Sequence, residues 1–195
     1  MGLNALEQIK AKLVPGHVYR RANFTDLSSN VDRNLKQLVK EGTLKKLAYG
    51  MYSVPKSNEF GETRPDEQSL LKSFLNDDHF VVYNPSQFNS LGLGTTQLYN
   101  RRVVFNRKRS GKFNLGGKVY HFYYWREAPK KLTKEFLLVE MLNRLHLLAE
   151  DKDEILNNLA NSLDNFDLRK LMFASNHYGN MATQKILKDT LSSNE

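Results

Sequence analysis

Apolar positions in the first 55 residues fall on two periods. Leu3, Leu6, Ile9 and Leu13 recur at helical spacing, and Pro15-Gly16 closes that segment. Val18-Tyr19 predicts a short extended stretch, and Ala22 to Leu27 one or two helical turns. Ser28-Ser29 then offers an N-cap, because a serine hydroxyl accepts from the free amides of a first turn. Val31, Leu35, Leu38 and Val39 follow at i, i+4, i+7 and i+8, one apolar stripe, with Gly42 placed to cap its end. Thr43–Ala48 and Met51–Val54 read as two strands joined by Tyr49-Gly50. Three helical segments and a hairpin are the element order of a winged helix-turn-helix.

Residues 56–66 hold Gly61 and Pro65 among polar side chains and have little to bury, so they predict a linker. Beyond it, Glu67–Leu75 predicts a short helix, Phe80–Tyr83 a strand and Ser86–Leu91 a short helix before Gly92-Leu93-Gly94. Arg101–Arg107 and Lys118–Trp125 predict strands flanking a glycine-rich hairpin, Ser110–Gly117. After Pro129 the pattern becomes helical, over 133–149, 151–163, 167–177 and 180–191. The expected fold class is α+β: a winged helix-turn-helix over 1–55, a linker over 56–66, and a mixed α/β domain over 67–195 ending in helices.

Composition changes this picture little; charge changes it more. With 40% hydrophobic and 26% charged residues the chain is ordinary globular material, and its 195 residues suit one domain or two small ones. No apolar run reaches the roughly 18 residues of a membrane span, and the start lacks a leader's basic and apolar regions, so a cytoplasmic protein is expected. The absence of cysteine excludes disulfides, thiolate nucleophiles and cysteine-based zinc sites. Net charge is +8, and it is segregated. Residues 1–54 carry nine basic and four acidic side chains, and 99–134 carry eleven and one. The stretches 55–98 and 135–195 are net acidic. Two basic blocks of this kind suit a polyanionic partner.

Opposite the stripe Val31/Leu35/Leu38 lie Ser29, Arg33, Lys36, Gln37 and Lys40, with Asp32 set to one side. A recognition helix needs long donors and an amide on such a face. Arg33 suits a bidentate contact to guanine and Gln37 one to adenine, each about 1–3 kcal/mol of discrimination. Ser28, Asn30 and Asn34 flank that face, and Lys45, Lys46 and Tyr49 on the hairpin suit phosphate contacts. The same surface also reads as a solvated lysine-rich helix or as a protein-docking module.

The stretch from Leu35 through Gly42-Thr43-Leu44-Lys45-Lys46-Leu47-Ala48-Tyr49-Gly50 to Pro55 resembles the recognition helix and wing of AbiEi-type antitoxins, transcriptional regulators of type IV toxin–antitoxin systems. Phe88-Asn89-Ser90-Leu91-Gly92-Leu93-Gly94-Thr95-Thr96-Gln97 resembles the turn that opens their C-terminal part, and Ala174–Gly179 fits their helical ending. Tyr49 stands where members commonly carry a basic residue, and Phe88 where a small one is usual. The resemblance implies a repressor that binds its own promoter and counters a nucleotidyltransferase-like toxin without a stable complex. A homodimer on DNA is a further expectation.

The second basic block holds Arg101, Arg102, Arg107, Lys108, Arg109, Lys112 and Lys118, interleaved with aromatics. Cations among aromatic faces can hold single-stranded nucleic acid. Alternation along 118–125, however, puts Tyr120, Phe122 and Tyr124 on one face and Val119, His121, Tyr123 and Trp125 on the other, so part of that strand is expected in the core. The block therefore reads as an extension of a DNA footprint, an RNA site, or a surface for an acidic protein. Gly111–Lys118 fails as a P-loop, because Gly117 is inserted before the lysine and Val119 replaces the magnesium-binding hydroxyl. His17, His79, His121, His146 and His177 have no ligand spacing. No catalytic residue, metal or cofactor is expected.

Overall fold

The computed structural model describes residues 4–59 and 61–192; Leu3 of the first apolar stripe and Phe60 of the expected linker lie outside the described residues. In chain order the first elements are α1 Ala5–Lys12, β1 Val18–Arg20, a 3-10 turn Arg21–Phe24, α2 Val31–Lys40, β2 Lys45–Ala48 and β3 Met51–Ser53. Then come β4 Lys56–Asn58, β5 Gly61–Thr63, α3 Glu67–Leu75, β6 Phe80–Tyr83 and a 3-10 helix Pro85–Leu91. The remainder is β7 Arg102–Asn106, β8 Gly111–Leu115, β9 Lys118–Tyr124, α4 Lys134–Asn143, α5 Lys152–Ala160, α6 Leu168–Tyr178 and α7 Met181–Ser192. The chain is mixed α and β. No helix among the described residues is long and apolar enough to cross a membrane.

Two compact units result, and their boundary departs from the expected one. The first runs to His79 and takes in Lys108–Phe122; the second comprises Phe80–Arg107 and the chain from Tyr123 onward. A split at 56–66 is thus corrected. Those residues are not an open linker, since Lys56, Ser57 and Asn58 pair with Thr63, Glu62 and Gly61 as an antiparallel hairpin.

In the first unit, Asn4 and Glu7 close a reciprocal capping box on α1. Strands β1, β3 and β2 form an antiparallel sheet in that order. Ile9, Phe24, Val31, Leu35, Leu38 and Leu44 make its core, so the α2 stripe is buried as its spacing predicts. Gly42, at φ +76°, supplies the left-handed residue after α2. The β2–β3 register slips between Lys46 and Ala48, and the Leu47 carbonyl at that irregularity accepts the Gly116 N–H at 3.1 Å.

The expected glycine-rich loop is itself partly strand. Gly111–Leu115 pairs with β9, and only Gly116-Gly117 make the turn, at φ +57° and +81°. Phe113 and Phe122 pack with Phe74 of α3 at ring-centroid distances of 5.0 and 5.1 Å, which binds this hairpin to the first unit. Arg109 lies over the Phe74 ring at 4.4 Å. Arg109→Ala is expected to destabilise the chain by about 1 kcal/mol in urea unfolding. No change beyond error would mean that the stacked guanidinium is fully compensated by water.

In the second unit β6 and β7 pair antiparallel, and Tyr83, Phe88, Phe105, Phe136, Leu138 and Leu171 are among its core residues. Thr133, Asp151 and Asp167 cap α4, α5 and α6, so the acidic run Asp151–Glu154 begins a helix as expected. The Glu150 carboxylate accepts the N–H groups of Thr96 and Gln97 at 2.7 and 3.1 Å. Burial works against its charge, yet these amides hold it below the usual carboxylate range.

Candidate nucleic-acid interface

Helix α2 presents the residues that the sequence places outward. Ser29, Arg33, Lys36, Gln37 and Lys40 are exposed, while Val31, Leu35 and Leu38 are buried. The start of the helix differs from expectation. Its N-cap is Asn30, which makes no side-chain cap bond. Ser28 Oγ instead accepts the Asn30 N–H at 3.0 Å and the Asn34 side-chain amide at 2.9 Å. Ser28 therefore ties down Asn34 rather than capping the first turn, and half-buried Asn34 is a less available base reader than its position suggested.

Two carboxylates define what the face can present. Arg21 Nε and Nη2 donate to the Asp32 oxygens at 2.7 and 2.8 Å. The hydrogen bond from Arg21 holds the Asp32 carboxyl below its ordinary range, so the pair is fully charged at neutral pH. At the other end of α2, Gln37 Nε2 donates to Glu41 at 2.9 Å, and Glu41 also pairs with Lys10 at 2.8 Å. Lys10, then Gln37, lower the Glu41 carboxyl in the same way. The bond to Glu41 uses one of the two Gln37 amide N–H groups and fixes the amide's orientation, leaving the other N–H and Oε1 to meet a base edge only in that orientation. The i, i+4 spacing of Gln37 and Glu41 was readable in the sequence. The Arg21–Asp32 and Lys10–Glu41 pairs join separate elements and carried no local signal.

Across from α2 stands the β2–β3 hairpin. Tyr49 at its tip is 97% exposed. A groove of about 690 Å³ between them is lined by Arg21, Asp32, Lys36, Lys46, Tyr49 and Tyr52. Lys45 does not line this groove and is paired with Glu62 at 2.9 Å. Among the described residues, Arg33, Lys36, Lys40 and Lys46 make no ion pair.

The second basic block is divided between the two units. Arg101, Arg102 and Arg107 belong to the second unit, and Lys108, Arg109, Lys112 and Lys118 to the first. Arg101 is half-buried and its Nε has no hydrogen-bond partner, whereas Lys112 is exposed on β8. Tyr120 and Phe122 are 1% and 2% exposed, so that face of β9 is core; Tyr124, expected beside them, is exposed instead because it lies past the hairpin's pairing. Phe105 is buried as well, which leaves few free aromatic faces for stacking bases. Among the described residues no three His, Asp or Glu side chains converge as a metal-holding group.

No family model matches the chain, and no curated protein matches it. Among solved structures it is similar to the crystal structure of the RV2827C protein from Mycobacterium tuberculosis, at a TM-score of 0.59 and 15% identity over 98% of this chain and 76% of that one. Identity at that level carries the fold alone: the chain shares a mixed α+β architecture with that mycobacterial protein across nearly its whole length.

Proposed function

We propose that this chain is a sequence-specific, duplex-DNA-binding repressor whose first unit is a winged helix-turn-helix, with α2 as recognition helix and the β2–β3 hairpin as wing. One observation carries the reading. Among the described residues Arg33, Lys36 and Lys40 are exposed on α2 without ion pairs, and Lys36 lines a groove with Lys46 and Tyr49 of the hairpin. Unpaired cations lose little on meeting phosphates, and a concave groove between helix and hairpin suits a duplex backbone. Burial of Tyr120, Phe122 and Phe105 favours duplex over single-strand binding through the 99–125 region. The resemblance to AbiEi-type antitoxins extends the proposal to autorepression of an operon and to countering a nucleotidyltransferase-like toxin, with no stable complex between the two.

The test is fluorescence-anisotropy binding to duplex from just upstream of the gene, against scrambled duplex and single strands. Wild type should prefer the upstream duplex, and Arg33→Ala should remove about 1–3 kcal/mol of that preference. Equal binding to all three by both proteins would reduce α2 to scaffold and end the repressor reading.

A further inference from the structure

A second concave site opens in the first unit, on the other side of β2. It is a cavity of about 400 Å³, within the range of small-molecule pockets. Its floor is apolar: Leu70 is 5% exposed, Leu115 and Tyr120 1% each. Its lining carries four cationic side chains, Lys45, Lys46, Arg64 and Lys118, against two carboxylates, Glu62 and Glu67. Both carboxylates are engaged, Glu62 by Lys45 at 2.9 Å and Glu67 by the Tyr120 hydroxyl at 3.0 Å. Among the described residues Arg64 and Lys118 make no ion pair. The glycine turn beside them is not a phosphate cradle, since the Gly116 N–H is spent on Leu47 and the Gly117 N–H on Asn114. Recognition of charge is left to side chains.

We propose that this cavity binds a small organic anion, a phosphate or carboxylate carried on an apolar body, with Arg64 and Lys118 holding the charge and the leucines the body. An anion with an apolar body fits where bare phosphate does not, because phosphate alone would leave the floor unfilled. A regulatory consequence follows, resting on the DNA-binding reading above. Lys46 borders both this cavity and the groove facing α2. An anion bound beside β2 therefore adds negative charge next to the duplex backbone and competes for a cation that would meet it, so occupancy weakens DNA binding.

The experiment titrates DNA-free protein with phenyl phosphate, inorganic phosphate and benzyl alcohol, followed by amide chemical shifts. Phenyl phosphate should give saturable shifts centred on Leu47, Gly116, Gly117 and Lys118. Arg64→Ala and Lys118→Ala should each weaken it about tenfold, the worth of one charge-assisted bond. Shifts spread equally over unrelated lysines overturn the site. Benzyl alcohol binding as tightly overturns the role of charge, and inorganic phosphate binding as tightly overturns the role of the floor. In a second arm phenyl phosphate should weaken duplex binding by wild type, and Arg64→Ala should need about tenfold more of it for the same effect. If Arg64→Ala by itself weakens duplex binding as much as Lys46→Ala does, the cations serve DNA phosphates and the small-anion assignment falls. A chain that binds no duplex fails the DNA-binding reading, and the DNA-free titration still decides the cavity.

Discussion

Arg144→Met is expected to destabilise the chain by about 3–5 kcal/mol, read as a lower urea midpoint, because it strands a buried carboxylate. Glu140, on α4 in the middle of the second unit's core, is 3% exposed. Its oxygens accept the Tyr83 hydroxyl at 2.9 Å, Arg144 Nη2 at 2.9 Å and the Asn143 amide at 3.1 Å. The Arg144 guanidinium also lies 5.1 Å from the centre of the Tyr123 ring. Burial, and after it the charge of Glu140, push the Tyr83 phenol far above its ordinary range, so it stays a donor to that carboxylate. Removing the guanidinium leaves two neutral donors facing a full negative charge in a low-dielectric site. Removing both partners is a different matter. The Glu140→Gln, Arg144→Met double variant should recover most of the loss, since an uncharged amide can accept from Asn143 and donate to the Tyr83 oxygen without the desolvation cost of an unpaired ion. A loss below about 1 kcal/mol in the single variant would place the guanidinium in water, where ion pairs contribute that little.

What could be read from the sequence divides along the range of the interaction. The α2 stripe is a periodicity, so its burial and the exposure of Arg33, Lys36, Gln37 and Lys40 were legible. The acidic start of α5 was legible for the same reason, because a cap and its amides lie within one turn. Pairing decisions between distant segments were not. The strand β8 looks like loop in isolation, lying within the glycine-containing stretch Ser110–Gly117, and becomes strand only by pairing with β9. The same hairpin returns to the first unit through Phe74, Phe113 and Phe122, which are far apart in the chain and near in space. That return cuts the second basic block between Arg107 and Lys108. Charge counting could not see it, nor could it see that Arg21 and Lys45 are already paired, with Asp32 and Glu62. Ser28 illustrates a finer limit: a serine ahead of a helix can cap it or turn back on its own neighbours, and the choice depends on where Asn34 points.

Those pairings set the last expectation, the salt dependence of DNA binding. From charge alone, both basic blocks together would engage about 6–10 phosphates, and affinity would fall about 10³–10⁵ between 50 and 200 mM salt. The structure leaves fewer unpaired cations on the candidate face: Arg33, Lys36, Lys40 and Lys46. With Arg33 at a base edge, the other three give phosphate contacts and a slope of about −2.7 in log affinity against log salt, hence a loss of about 40-fold over the same range. That is the expected result per bound chain. Lys46→Ala should make the slope shallower by about 0.9 and weaken upstream and scrambled duplex alike, since a phosphate contact carries no sequence information. Two chains on a palindromic site would double the slope per operator, to about −5, while leaving the value per chain unchanged. A per-chain slope of about −7 would mean that Lys108, Lys112 and Lys118 join the footprint and that the Arg21 and Lys45 pairs open on binding. A slope near zero would remove phosphate contact altogether, and with it the case that α2 and the hairpin grip a duplex.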